Sequence, residues 1–245
     1  MNVIFQAFIA SDFFGKLIFG GLFLLSIITW VVLLQKVFLY RNVRKGAIKL
    51  QGLVTNSGGN ILSIDIAKID LSEGEDALQN PFFSILTALK DKAVEILDKN
   101  HFFHNKGSLS NHSSIFLSRA DVEHLEARVQ TTMSNEAKRL EKNLFILSTI
   151  VPLAPFLGIL GTVWGILISL GEMQKGTMAH SNSIVLGGLS TALATTVLGL
   201  VIAIPALIAY NYLRNQLKNV YIDMEDFSGV LLSSIELQYR KVDGI

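Results

Sequence analysis

Apolar and polar positions along the chain fall into three long hydrophobic runs separated by mixed segments. The first runs from about Leu17 to Leu34, softened only by Ser26 and Thr29, and continues past Gln35 and Lys36 to Tyr40. The second, about Leu144 to Leu170, and the third, about Ile184 to Leu213, hold no Asp, Glu, Lys, Arg or His. Each of the latter two exceeds the roughly 20 residues that a 30 Å hydrocarbon core requires. A buried core helix seldom runs so long without a charge, so the pattern predicts three membrane-spanning helices. A lysine one turn from a helix end can reach the headgroups, and Lys36 therefore does not end the first span. A cleaved signal peptide fits poorly, because the run is too long and is preceded by Asp12 and a single Lys16.

Between the runs the periodicity changes. Asn80-Pro81 reads as a helix start, after which Phe82, Ile85, Leu86, Leu89 and Ala93 share a face. From about Ser118, Val122, Leu125, Val129, Met133, Ala137, Leu140 and Leu144 recur three or four apart, in a helix expected to run into the second span without a break. After the third span, Leu213, Leu217, Val220, Met224, Phe227 and Leu231 follow a heptad rhythm. Both spans are thus expected to extend as helices that pack on each other or on neighbouring copies. Segments such as 55–60 and 106–114, rich in Gly, Ser and Asn, read as loops.

The fold class expected is an all-α integral membrane protein, with spans two and three extended into a cytoplasmic helical bundle. Its divisions are an N-terminal segment 1–16, a first span 17–40, a helical portion with loops 41–143, a second span 144–170, a connecting loop 171–183, a third span 184–213 and a C-terminal helix 214–245. Lys and Arg set the orientation. Lys36, Arg41, Arg44, Lys45 and Lys49 follow span one, Lys138, Arg139 and Lys142 precede span two, and Arg214 and Lys218 follow span three. The other side offers only Lys16 and Lys175, so the N-terminus is expected outside the cytoplasm and the C-terminus inside.

Composition narrows the chemistry. Half of the 245 residues are hydrophobic and 17% charged, the mean hydropathy is +0.46, and the net charge is +1, which leaves no electrostatic footprint for nucleic acid. Without cysteine there is no disulfide, thiol catalysis or cysteine-ligated metal. His101, His104 and His112 lie in a stretch expected to be a solvated loop, with no ligand spacing or carboxylate partner, so no metal site is expected. The Gly52–Gly59 stretch lacks the Lys-Ser/Thr ending of a phosphate loop, and no nucleophile–base set stands out. Neither a cofactor nor an enzymatic activity is expected.

The informative positions lie in spans two and three. Gly158, Thr162, Gly165 and Ser169 form one small-residue stripe, with Gly161 and Gly165 a further close pair. Gly188, Ala192, Thr196, Gly199, Ala203 and Ala206 form another. Tight packing of helices in lipid explains the glycines and alanines, and Pro205 is grouped with these packing positions. Counted inward at about 1.5 Å per residue, Thr162 and Thr196 reach similar depths near the bilayer midplane, with Thr191 and Thr195 nearby. Such a layer suits a polar path, although each threonine can also satisfy itself on a carbonyl of the preceding turn. With no ionisable group in these spans, a proton path would need a carboxylate from elsewhere.

These residues carry a resemblance. Glu141–Leu144 through Ala154-Pro155-Phe156-Leu157-Gly158-Ile159-Leu160-Gly161-Thr162-Val163-Trp164-Gly165-Ile166 resembles the second span of the TolQ/ExbB/MotA group of proton-channel proteins. Gly187-Gly188-Leu189-Ser190-Thr191-Ala192-Leu193-Ala194-Thr195-Thr196-Val197-Leu198-Gly199-Leu200, with Ala203-Ile204-Pro205-Ala206 and Tyr210-Asn211, resembles the third. The pattern Lys16-Leu17-Ile18…Ser26…Trp30…Gln35-Lys36 looks most like the TolQ branch. The resemblance implies a bacterial inner-membrane subunit, with a periplasmic N-terminus, that assembles as a homo-oligomer, a pentamer, around single-span helices of a TolR/ExbD-like partner. That partner carries an intramembrane Asp, and proton flow through the complex energises a TolA/TonB-like protein acting on the outer envelope. Pore threonines of the family fall on Thr162 and Thr196. Many TolQ and ExbB chains carry a glutamate five residues before the second threonine, where this chain has Thr191: either the glutamate is dispensable or this branch differs in gating or in the ion carried, a sodium-driven stator included, although the four spans of flagellar stators are absent. A passive oligomeric scaffold without ion conduction is the alternative reading.

Overall fold

A computed structural model describes residues 3–56, 61–64, 80–107, 116–175 and 178–239. The described residues are almost entirely helical: α1 (Val3–Ala10), α2 (Phe13–Asn56), α3 (Pro81–Gly107), α4 (Arg119–Glu141), α5 (Leu144–Lys175) and α6 (Met178–Tyr239). Three helical stretches, Phe13–Asn56, Arg119–Gly171 and Gly187–Tyr239, are long and apolar enough to cross a membrane. The chain is therefore an all-helical membrane protein. It divides into two compact units, Met1–Val37 with Lys142–Asn215, and Phe38–Glu141 with Gln216–Ile245.

In the first unit, Ile18 and Leu22 of α2, Ile150 and Ala154 of α5, and Ile202, Ala203 and Ala206 of α6 form one buried cluster. Around it the helices present large apolar side chains outward, among them Phe23, Phe156, Val163, Leu193 and Ile204. That inversion of the soluble pattern is what a lipid environment permits. Pro152 and Pro155 sit inside α5 and Pro205 inside α6. Each removes one intrahelical donor, which is tolerated in spanning helices because neighbouring helices and hydroxyls take up the freed groups.

The second unit is held by capped helices. Asn80 accepts the Phe82 amide at 3.0 Å and precedes Pro81 at the first helical position, which suits proline's fixed φ and missing N–H. The same Asn80 side chain donates to the Val43 carbonyl of α2 at 3.2 Å and is buried. It fits because residue 46 is glycine: a Cβ there would collide with the Asn80 amide nitrogen and lie 3.0 Å from its Cγ. Ser118 and Asp121 cap α4 reciprocally, Ser118 N donating to Asp121 Oδ2 at 2.9 Å and Asp121 N to Ser118 Oγ at 3.2 Å. Burial pushes the Asp121 carboxyl up, but the hydrogen bonds from Ser118 and Asn100 outweigh it and hold it below the ordinary carboxylate value.

Three expectations are corrected or bounded. The helix from Ser118 does not run unbroken into span two: α4 ends at Glu141 and α5 begins at Leu144, with Asn143 at φ 70° between them. Asparagine tolerates the left-handed region better than most residues, so the break needs neither Gly nor Pro. His101 and His104 lie on α3 rather than in a loop, because no Gly or Pro interrupts that helix before Gly107; His112 lies outside the described residues. The stripe Val220, Met224, Phe227 and Leu231 is buried within this single chain, Phe227 meeting Phe82 edge-on at 5.5 Å.

Replacing Asn80 by Ala removes a cap and orphans the Val43 contact, and is expected to cost about 1–2 kcal/mol locally. Hydrogen exchange of the amides of residues 82–84 should accelerate. Unchanged protection would show that Asn80 does not anchor α3.

Candidate functional site

The candidate site is the seam between α5 and α6. Close contacts pair residue 154 with 199, 158 with 195 and 196, 165 with 192, and 169 with 188, an antiparallel register read directly from neighbours of the glycines. A Cβ at Gly199 would lie 2.6 Å from the Ala154 carbonyl oxygen, and one at Gly158 would lie 2.9 Å from the Thr196 Cα. At Gly165 it would meet the Ala192 Cβ at 2.8 Å, and at Gly161 and Gly188 it would strike the hydroxyls of Thr195 and Ser169. The backbones thus approach to a distance that only small residues permit.

Close approach brings hydroxyls onto carbonyls of the facing helix. Thr196 Oγ1 donates to the Gly158 carbonyl at 3.0 Å. Thr195 Oγ1 lies 3.1 Å from the same oxygen and 2.7 Å from the Ala192 carbonyl. In a regular helix the Gly158 carbonyl is also the acceptor for the amide of Thr162, so three threonines converge on one backbone group. The Thr162 hydroxyl itself donates to Ile159 O at 2.7 Å. Thr191 stands one turn away, donating to Gly187 O at 2.9 Å.

Their exposures differ. Thr195 is 2% exposed, inside the seam, whereas Thr162, Thr191 and Thr196 are half-buried at its border. Beside them Ile159, Val163, Leu193, Val197 and Leu200 are exposed in the single chain. Three hydroxyls therefore edge an otherwise apolar face, and the fourth fastens the helices behind it. Among the described residues no group of three His, Asp or Glu side chains could hold a metal.

One tie escaped the reading of the sequence. Asp12 caps α2, accepting the Gly15 amide on Oδ1 at 3.0 Å, and its Oδ2 accepts the Trp164 indole N–H at 3.0 Å. The Phe14 and Trp164 rings lie 4.4 Å apart. The start of α2 is thereby fastened to α5 two residues from Thr162. An acidic residue just before an apolar run is a cap signal in itself. Its partner, 152 residues away in sequence, leaves no local trace. Burial pushes the Asp12 carboxyl up, but the bonds from Trp164, Gly15 and Phe14 outweigh it and hold it below its ordinary 3.8.

The model of the MotA/TolQ/ExbB proton channel family matches residues 98–226, more than half of the chain. The biopolymer transport protein ExbB of Neisseria meningitidis serogroup B is 31% identical over 212 residues, 85% of this chain and 86% of that protein. The ExbB of Aquifex aeolicus is 38% identical over 99 residues, 40% of this chain and 66% of the relative. The Tol-Pal system protein TolQ of Pseudomonas aeruginosa is 39% identical over 95 residues, 38% of this chain and 39% of that protein. The chain belongs to the MotA/TolQ/ExbB proton channel family, which is a channel family and not a class of enzyme. Relatives bearing both names match, so the TolQ branch rests on the pattern from Lys16 to Lys36 alone.

Two outcomes test this geometry. Gly199→Ala is expected to lower stability by about 1–3 kcal/mol, because the added methyl meets a backbone carbonyl that cannot swing aside. Gly187→Ala, which meets nothing within 4 Å, should leave thermal denaturation in detergent unchanged or raised; equal losses in both would discount the seam. Because the folded Asp12 pKa is depressed, its contribution is present above the unfolded value and disappears as pH falls through the folded one. In a Trp30→Phe background, Trp164 emission should change with a midpoint below pH 3.8, and Asp12→Asn should abolish the transition. A persisting transition would assign it to another group.

Proposed function

We propose that this chain is a stator-like subunit of a proton channel in the bacterial inner membrane, its N-terminus periplasmic and its C-terminus cytoplasmic. Copies of the chain form a ring, a pentamer by family resemblance, around single-span helices of a TolR/ExbD-like partner. The observation that carries this reading is the group of threonines at the α5–α6 seam: the Thr195 and Thr196 hydroxyls reach the Gly158 carbonyl, and Thr162 and Thr191 border the seam with Thr196. They sit in spans with no ionisable side chain of their own.

Such a wall can hold water and relay hydrogen bonds, but it cannot take up a proton by titration. The partner's intramembrane aspartate supplies that step in this reading. Thr162 and Thr196 line the path, and Thr191 continues it where many relatives carry a glutamate. Thr195, being buried, keeps the two helices at the spacing the path requires. Proton flow down the proton-motive force then moves the partner within the ring, and a TolA/TonB-like protein carries the work to the outer envelope. The residues 141–166 and 187–211, which support the family resemblance, are also those that build the seam.

The test is Thr162→Val and Thr196→Val, which keep shape and remove one hydroxyl each. Both variants should assemble with the partner yet lose most partner-dependent proton flux in reconstituted vesicles. Full flux in both would overturn the reading. An intact complex of the unmodified chain that passes no protons at any driving force would establish the passive scaffold instead.

A further inference from the structure

The stretch of α2 just past the first span carries a surface that the proton path does not use. On this continuous helix, Tyr40, Val43, Ala47 and Leu50 are buried within the second unit, none more than 6% exposed. At about 100° per residue, Phe38, Arg41, Lys45 and Ile48 fall away from that face, and Arg44 stands at its edge, one turn from Arg41. Phe38 is 62% and Ile48 64% exposed, and Arg41, Arg44 and Lys45 are exposed as well. The three cations form no ion pair among the described residues, whereas other surface cations do: Lys92 and Lys99 both pair with Glu95.

Charge decides what such a face suits. No acidic residue occurs between Asp12 and Asp65, so the helix cannot neutralise these cations locally. Their place is equally telling: Arg41 follows the last residue of the apolar span directly, and Lys45 stands about 6 Å further along the axis. With the first span ending at Tyr40, as the sequence pattern predicts, that is the depth of the headgroup layer, with exposed Phe38 on the acyl side of it. Arg and Lys near a span end bring their cations to the phosphates while their stems cover apolar surface.

We propose that Arg41, Arg44 and Lys45 form a docking face for anionic phospholipid, the phosphodiester seated among the three cations and the acyl chains against Phe38. Phosphatidylglycerol is the lipid chosen to test it. The site is independent of proton conduction, because none of its residues belongs to the α5–α6 seam. It makes this face of α2 selective for acidic lipid and holds the register of the first span against the membrane plane.

Native mass spectrometry of the full-length protein, exchanged into mixed phosphatidylglycerol and phosphatidylcholine, reads both retained lipid and oligomer mass. The unmodified chain should retain phosphatidylglycerol preferentially, the preference falling with added salt. Each neutralised charge should weaken it about fivefold, so Arg41→Gln/Arg44→Gln/Lys45→Gln should retain the two lipids nearly alike. Lys92→Gln/Lys99→Gln, which alters cations already paired, should retain the original preference. If the triple variant keeps the preference, the proposal fails. If it changes the oligomer mass and leaves lipid retention intact, the face is a contact between copies and the proposal is equally overturned. Wild-type protein without a salt-sensitive preference would refute it irrespective of how the variants fold.

Discussion

The structure of the first unit depends on how closely two helices approach. Where α5 passes α6, Gly158 and Gly199 leave no Cβ to hold the backbones apart, and the Thr195 and Thr196 hydroxyls reach a carbonyl on the neighbouring helix. In lipid there is no hydrophobic gain from bringing two apolar helices together, so dispersion contact and interhelical hydrogen bonds must supply the attraction. Small residues provide the first and threonines the second. The large apolar side chains that would drive folding in water are free to face outward.

That arrangement gives the hydroxyls a double role. A threonine bonded to its own helix is an ordinary feature of a spanning segment. The hydroxyls of Thr162, Thr191 and Thr196, half-buried beside an exposed apolar face, place polar groups where another helix would meet them. The seam stays neutral throughout, so any step that takes up a proton by titration needs a group held by another chain.

Much of this was legible in the residues. The uncharged runs identified the spans because length and the absence of charge are local properties, and the stripes 158–169 and 188–206 marked the seam because helical periodicity puts such residues on one face. Asn80-Pro81 announced a helix start for the same reason. What could not be read was long-range or conformational. Nothing near Trp164 points to Asp12, nothing near Val43 points to Asn80, and the break at Asn143 turns on a single positive φ that asparagine accepts without a glycine. Nor could sequence separate Thr195 from Thr196, since adjacent residues on a helix differ by about 100° in direction, and only the packed seam distinguishes the inner hydroxyl from the outer one.

On the proposed reading, this chain builds a proton path that it cannot operate alone. The most direct measurement is proton flux into vesicles under an imposed pH gradient, comparing the chain alone with the chain assembled with a single-span partner that carries an intramembrane aspartate. The chain alone should give no flux above background, and the complex a clear flux that is lost when that aspartate is replaced by asparagine. Flux through the chain alone, or through the complex with the asparagine partner, would contradict it.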